Sequence, residues 1–220
     1  MVVFHLLFDL NYLGITRFNF HGGFLLLFQR LIAFLFLGIA GVSLVLLKQK
    51  YSGISKKEFF HKLLQKSLFL FAAGLLITSA TFVYPHDGAI IFGVIHFLAL
   101  SLLIGFFFLD FYYLNLALGV LLLVSSLFIS LPALNTPLLL WLGFPPQGFH
   151  SLDYYPLFPW FGIFLIGIFA GKALYEKRVF KPKMPKFTGL IQQIGRHSLA
   201  IYLLHQPVLI GLILLVKNFS

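Results

Sequence analysis

The sequence predicts an all-α membrane protein, a polytopic helix bundle of about seven transmembrane helices whose first helix is truncated. Composition is the first reason. Of 220 residues, 60% are hydrophobic and only 10% charged, against about 45–50% and about 25% in a typical soluble domain. The second is patterning. Apolar runs recur at roughly 1–14, 23–47, 63–84, 89–109, 112–131, 157–175 and 191–215, and a span needs about 20 such residues to cross roughly 30 Å of hydrocarbon. The third is where the charge sits: 12 of the 16 Lys and Arg residues fall in two connections, 48–66 and 172–186. Connections this short leave no room for a soluble domain, so residues 1–220 are expected to form one integral-membrane domain.

Span 1 starts at Met1 and is shorter than a crossing requires. It lacks the basic region and small-residue cleavage site of a signal peptide, so its first turns are expected to be missing from this chain. Span 2 follows "HGG" and carries Arg30 about two turns in. Span 3, "LLQKSLFLFAAGLLITSATFVY", follows the first basic connection. Span 4 contains "GVIHFLAL" with His96, and span 5 follows the tight turn "DFYY". Segment 132–156 is broken by prolines around an apolar patch at Trp141 and reads as an interfacial half-helix or lid. Span 6 has Gly167 and Gly171 at small-xxx-small spacing, which suits packing against another helix. Span 7 opens on "GRHS" and contains His205, Gln206 and Pro207.

Positive charge is retained on the cytoplasmic side. Placing both basic connections there requires an even number of spans between them, and the reading above has four. Residues 11–22, the turn "YPHDGA" and segment 132–156 then lie outside, "DFYY" lies inside, and a plasma-membrane location is expected. The net charge of +10 is assigned to these loops and not to nucleic acid. The absence of cysteine excludes disulfides, a thiol nucleophile and thiolate metal sites. No Walker loop, strand-borne GxGxxG or HExxH is present, and no metal is expected.

Ionisable groups within spans are costly and mark function by default. His5 and Asp9, at i and i+4, share a helix face, where the carboxylate can orient the imidazole as a general base; the alternative is a helix end where Asp9 reaches water. His21 stands in the outer loop before "GG", either solvated or reactive. Arg30 needs a partner, either a carboxylate such as Asp9, Asp87 or Asp153, or an anionic group on a ligand. His96 and His205 are each explained by an interhelical hydrogen bond, but polar groups on four spans together imply a shared polar interior. Pro207 frees a backbone carbonyl, a device used where membrane helices line a cavity. Arg196 and His197, at the start of the last span, suit anionic phosphates. His86, Asp87, His150 and Asp153 form an outer polar set, read either as a wet surface or as an entry for a polar substrate.

The stretches "MVVFHLLFDLNYLG", "FQRLIAFLFLGIAGVSL", "GVIHFLALSLLIG", "DYYPLFPWFGIFLIGIFAGKAL" and "IGRHSLAIYLLHQPVLIGL" together resemble the catalytic domain family of heparan-α-glucosaminide N-acetyltransferase, in its short prokaryotic form. The resemblance covers nearly the whole chain. It implies a membrane-embedded acyltransferase that moves an acetyl group from cytosolic acetyl-CoA to an amine or hydroxyl of a sugar at the opposite face. By position His21 best matches the family's catalytic histidine, and the family's assisting asparagine falls close to His5, so His5 and His21 compete as the base. The family's usual Asp-x-x-Arg-Gly start is absent here.

The resulting expectation assigns His5, His21, Asp9, Arg30 and His96 to catalysis. Arg196, His197 and His205 are assigned to acetyl-CoA. Expected partners are membrane lipid, acetyl-CoA and a sugar-type acceptor, with no nucleic acid and with a homodimer as an option. A small proton-coupled transporter and a non-catalytic structural membrane protein are the alternatives.

Overall fold

The computed structural model describes residues 1–20, 22–84, 88–176 and 188–219. His21, His86, Asp87 and the cations from 177 to 186 lie outside the described residues. The elements are α1 (Val2–Tyr12), α2 (Gly23–Lys50), α3 (Lys56–Val83), α4 (Val94–Phe108), α5 (Tyr113–Ser125), a 3₁₀ helix at Pro137–Leu142, α6 (Leu157–Gly171) continued by a π turn at Lys172–Glu176, α7 (Thr188–Arg196) and α8 (Ser198–Phe219). Four stretches are long and apolar enough to cross a membrane: Gly23–Lys50, Lys56–Val83, Leu157–Glu176 and Ser198–Lys217; α1, α4 and α5 are shorter apolar helices. The fold is therefore a membrane helix bundle.

Several boundaries differ from the sequence reading; α5, for instance, ends at Ser125, six residues before the end of its apolar run. Helix α3 begins at Lys56 because Ser55 and Glu58 form a capping box: the Ser55 hydroxyl accepts the Glu58 N–H at 3.2 Å, and the Glu58 carboxylate accepts the Ser55 N–H at 2.8 Å. Two orphan donors at the helix start are thereby satisfied, and the basic stretch 56–66 is helical. Helix α4 begins at Val94, five residues later than the apolar run, where a carboxylate oxygen of Asp153 accepts the Val94 N–H at 3.0 Å. The last apolar run splits at His197 into α7 and α8. The proline-broken segment contains the expected short helix, started by Thr136, whose hydroxyl accepts the Leu138 N–H.

The chain forms two compact units, Met1–Phe34 with Pro182–Ser220, and Leu35–Lys181. In the second unit, α6 packs by letting backbones touch. A Cβ on Gly167 would meet the backbone of Gly38, and one on Gly41 would meet the backbone of Phe164 and Ile168. On another face of α6 a Cβ on Gly162 would lie 2.7 Å from the Gly119 carbonyl of α5. Small residues permit this approach in membrane helices, where dispersion replaces the hydrophobic effect as the driving force. Phe97, Phe164, Leu37, Leu44, Leu63 and Ile168 are fully buried around these contacts.

The two ends of this unit differ chemically. At the end where α4 turns into α5, Asp110 accepts from Lys48 at 2.9 Å and Lys56 at 2.8 Å. Those two hydrogen bonds, Lys56 first, hold its carboxyl down at about 2. Lys172, buried at the end of α6, donates to the Leu109 carbonyl at 2.6 Å and pairs with Glu176 at 3.3 Å. At the start of α4, residues 151–155 lie along residues 88–94. Leu152 N–H donates to the Gly88 carbonyl, the Ser151 hydroxyl to the Ala89 carbonyl, and Tyr155 N–H to the Phe92 carbonyl.

Candidate active site

In the first unit, the spacing of α1 decides which side chains meet. Phe4 and Phe8 stand at i and i+4 on one face, with Phe20 edge-on to both rings at 5.6 and 5.5 Å. His5 and Asp9 lie one position on, about 100° around the helix, and that polar face meets α8. The His5 and His205 rings are 4.9 Å apart, and Gln206 Nε2 donates to Asp9 Oδ1 at 2.7 Å. One histidine–acid pair thus faces a histidine–amide pair. Asp9 is only 3% exposed, so its charge has little access to solvent.

The hydrogen bonds of this cluster are half made. His205 Nδ1 lies 3.0 Å from the Ile201 carbonyl and 2.6 Å from the Tyr202 carbonyl, both one turn back on α8. On the far side of each group, Asp9 Oδ2, His205 Nε2 and Gln206 Oε1 are buried without a hydrogen-bond partner among the described residues. Unpaired buried polar atoms are costly, about 1–3 kcal/mol each, and in a native protein they call for a ligand, a water or a functional reason. Two of these three atoms accept hydrogen bonds only, and the third does so whenever its ring is neutral and protonated at Nδ1. The complement of the cluster is therefore a group with N–H or O–H donors.

The other expected site residues are placed as follows. Arg30 is exposed on α2 and has no ion pair among the described residues. Asp9 is held by Gln206 instead, and Asp153 by the Val94 N–H. A long guanidinium stem on an exposed helix face can carry its charge toward the polar boundary. Arg196 and His197 are both exposed at the break between α7 and α8. His197 joins Gln193, Ile194 and Ile201 in lining a shallow groove of about 270 Å³. His21 lies outside the described residues.

His96 belongs to the other unit and is 2% exposed. It stacks on Phe92 at 5.7 Å, meets Phe71 edge-on at 5.5 Å, and presses on Gly74, where a Cβ would lie 2.8 Å from the ring. Its Nε2 has no hydrogen-bond partner among the described residues. The same unit holds Asp153, whose carboxyl burial raises to about 6 against the opposing Val94 hydrogen bond. Burial also pushes the Tyr154 hydroxyl up to about 12, and the Tyr154 O–H donates to the Leu140 carbonyl at 2.8 Å. Among the described residues no group of three or more His, Cys, Asp or Glu side chains is arranged to hold a metal ion.

The pairing of His5 with His205 and of Asp9 with Gln206 joins residues nearly 200 positions apart, which no local pattern announces. Gln206 in particular is neutral, and its only signal in the sequence is its place between His205 and Pro207. No curated protein and no solved structure matches the chain. The family model described as "Heparan-alpha-glucosaminide N-acetyltransferase, catalytic" matches residues 1–207, a range that includes both helices of the polar cluster up to Pro207. The chain is a member of this heparan-alpha-glucosaminide N-acetyltransferase catalytic family of transmembrane acetyltransferases.

Proposed function

We propose that this protein transfers an acetyl group from acetyl-CoA, taken from the cytosolic side, to an amine or hydroxyl of a sugar-type acceptor at the opposite face. The observation that carries the reading is the half-buried, half-satisfied cluster of His5, Asp9, His205 and Gln206 in a chain of an acetyltransferase family. Acetyl transfer to an amine or hydroxyl needs a group that takes the acceptor's proton as the new bond forms. The cluster supplies two imidazoles on the same helix faces as a carboxylate, and the His205 Nε2 lone pair has no donor among the described residues.

The remaining roles follow from chemistry and position. Asp9 orients the cluster and offsets the positive charge of a protonated ring. Arg196 and His197, exposed at the α7–α8 break, are suited to hold CoA phosphates. Arg30 is the one cation of the described amino-terminal unit that lies within α2, and it is suited to an anionic group near the polar boundary. His21 is the alternative group for proton transfer in this reaction. The two basic connections are cytoplasmic in this reading, and membrane lipid is the solvent of the bundle.

The test uses the full chain in lipid nanodiscs. Acetyl-CoA binding is measured by calorimetry, and CoA release is followed with glucosamine as acceptor. Binding together with acceptor-dependent release is expected. A folded protein that neither binds acetyl-CoA nor releases CoA would contradict the proposal and favour a transport or structural role.

A further inference from the structure

We infer that His205 is the catalytic base, its proton-accepting atom being Nε2; this rests on the acetyl-transfer reading above. The argument starts from the tautomer. Both neighbours of Nδ1 are backbone carbonyls, of Ile201 at 3.0 Å and Tyr202 at 2.6 Å. A carbonyl only accepts, so Nδ1 must carry the proton in the neutral ring, and Nε2 is left with its lone pair. That lone pair is buried and has no donor among the described residues.

The surroundings fit the role. Asp9 Oδ2 and Gln206 Oε1 are equally without donors, so the side chains around Nε2 offer acceptors and not donors, as binding of an acceptor N–H or O–H requires. Gln206 fixes Asp9 through the 2.7 Å hydrogen bond to Oδ1, and leaves the second carboxylate oxygen without a partner among the described residues. His5 stacks edge-on to His205 at 4.9 Å and acts as a positioning residue.

In the step, the acceptor N–H or O–H proton passes to Nε2 as the C–N or C–O bond to the acetyl carbon forms. The C–S bond of the thioester breaks, and the leaving thiolate takes that proton back from Nε2. No oxidant or further co-reactant is needed.

The substitution His205→Asn keeps an N–H donor where Nδ1 stands and removes Nε2; His205→Gln keeps a nitrogen near the Nε2 position but no basic lone pair. Both are compared with His5→Asn in nanodiscs for kcat and for acetyl-CoA affinity. A fall of about 100-fold or more in kcat is expected for both His205 variants, with acetyl-CoA affinity within about threefold of wild type and a smaller fall in kcat for His5→Asn. His205 variants with wild-type kcat, or with acetyl-CoA binding lost, would overturn the inference. If neither variant folds, ¹⁵N NMR of histidine-labelled wild type decides: a protonated Nδ1 and bare Nε2 on His205 supports it, and the opposite tautomer overturns it. A wild type inactive with acetyl-CoA refutes the acetyl-transfer reading instead, and with it the role assigned here.

Discussion

Asp9 and Asp110 are both carboxylates in an apolar chain, and they are treated in opposite ways. Asp110, at the turn between α4 and α5, has two ammonium groups within 3 Å and is 57% exposed. Asp9, on α1, is 3% exposed and has one neutral amide as its described partner. Of the other described acids, Glu58 has the Ser55 N–H and hydroxyl, Glu176 the Lys172 ammonium, and Asp153 the backbone N–H of Val94, a single neutral donor that burial outweighs. A fold that needs an acid only for structure supplies it with a cation or a backbone donor. Asp9 departs from that rule, with a side-chain amide on one oxygen and no partner among the described residues on the other, and this is the ground on which the α1–α8 cluster is proposed as the site.

The contrast can be broken most forcefully where the larger unit is packed. Gly167→Val would drive a branched side chain into the backbone of Gly38. A loss of about 3 kcal/mol or more is expected, read as a collapse of the detergent-solubilised melting temperature. A neutral result would show that α2 and α6 do not approach as described.

The next effect concerns the cluster itself. Asp9→Ala, Gln206→Ala and the double variant form a cycle whose coupling is expected at about 1–2 kcal/mol, by reversible unfolding in mixed micelles. Coupling near zero would mean that the amide does not hold the acid.

Asp153 sharpens the comparison through pH. Its carboxyl is raised from 3.8 to about 6 in the folded protein, burial being the larger cause. The folded state therefore binds more protons than the unfolded state between those values. The contribution is present in full below about pH 4 and is lost as pH rises through about 6. Asp153→Asn keeps an oxygen for the Val94 N–H and should flatten the stability profile over pH 4–6. An unchanged slope would place the titration elsewhere.

The smallest effect is expected at the paired acid. Lys56 is largely exposed, and Lys56→Ala should change stability by less than about 0.5 kcal/mol, while the Asp110 carboxyl, depressed mainly by that hydrogen bond, titrates higher. NMR titration of the Asp110 side-chain carbon reads this directly. Stability that Asp110 gains from its partners is present above about pH 4 and is lost as pH falls toward 2.

What could be read in the sequence was what depends on short spacing. The i, i+4 pair His5–Asp9, the small-xxx-small spacing of Gly167 and Gly171, and the apolar lengths of α2, α3, α6 and α8 all follow from helix geometry alone. The Ser55–Glu58 box was equally present in "SKKE", but the lysines around it read as a loop, and the helix start was placed seven residues late. Contacts between distant segments were not legible. Gln206 holds Asp9 and His205 faces His5 only because α8 packs on α1, and the Asp153 cap on α4 depends on a loop returning from about 60 residues away. Arg30 was expected to be paired, since periodicity gives no sign that it points off the packed face of its helix.

The most direct measurement compares the two carboxylates in the same assay. Asp9→Asn keeps an oxygen for Gln206 and removes the charge; Asp110→Asn does the same at the paired acid. With acetyl-CoA and an amino-sugar acceptor in nanodiscs, Asp9→Asn is predicted to lower kcat by about 100-fold at little cost in melting temperature, and Asp110→Asn to stay within about twofold of wild type. Equal turnover in the two variants would contradict the assignment of the α1–α8 cluster as the site of acetyl transfer.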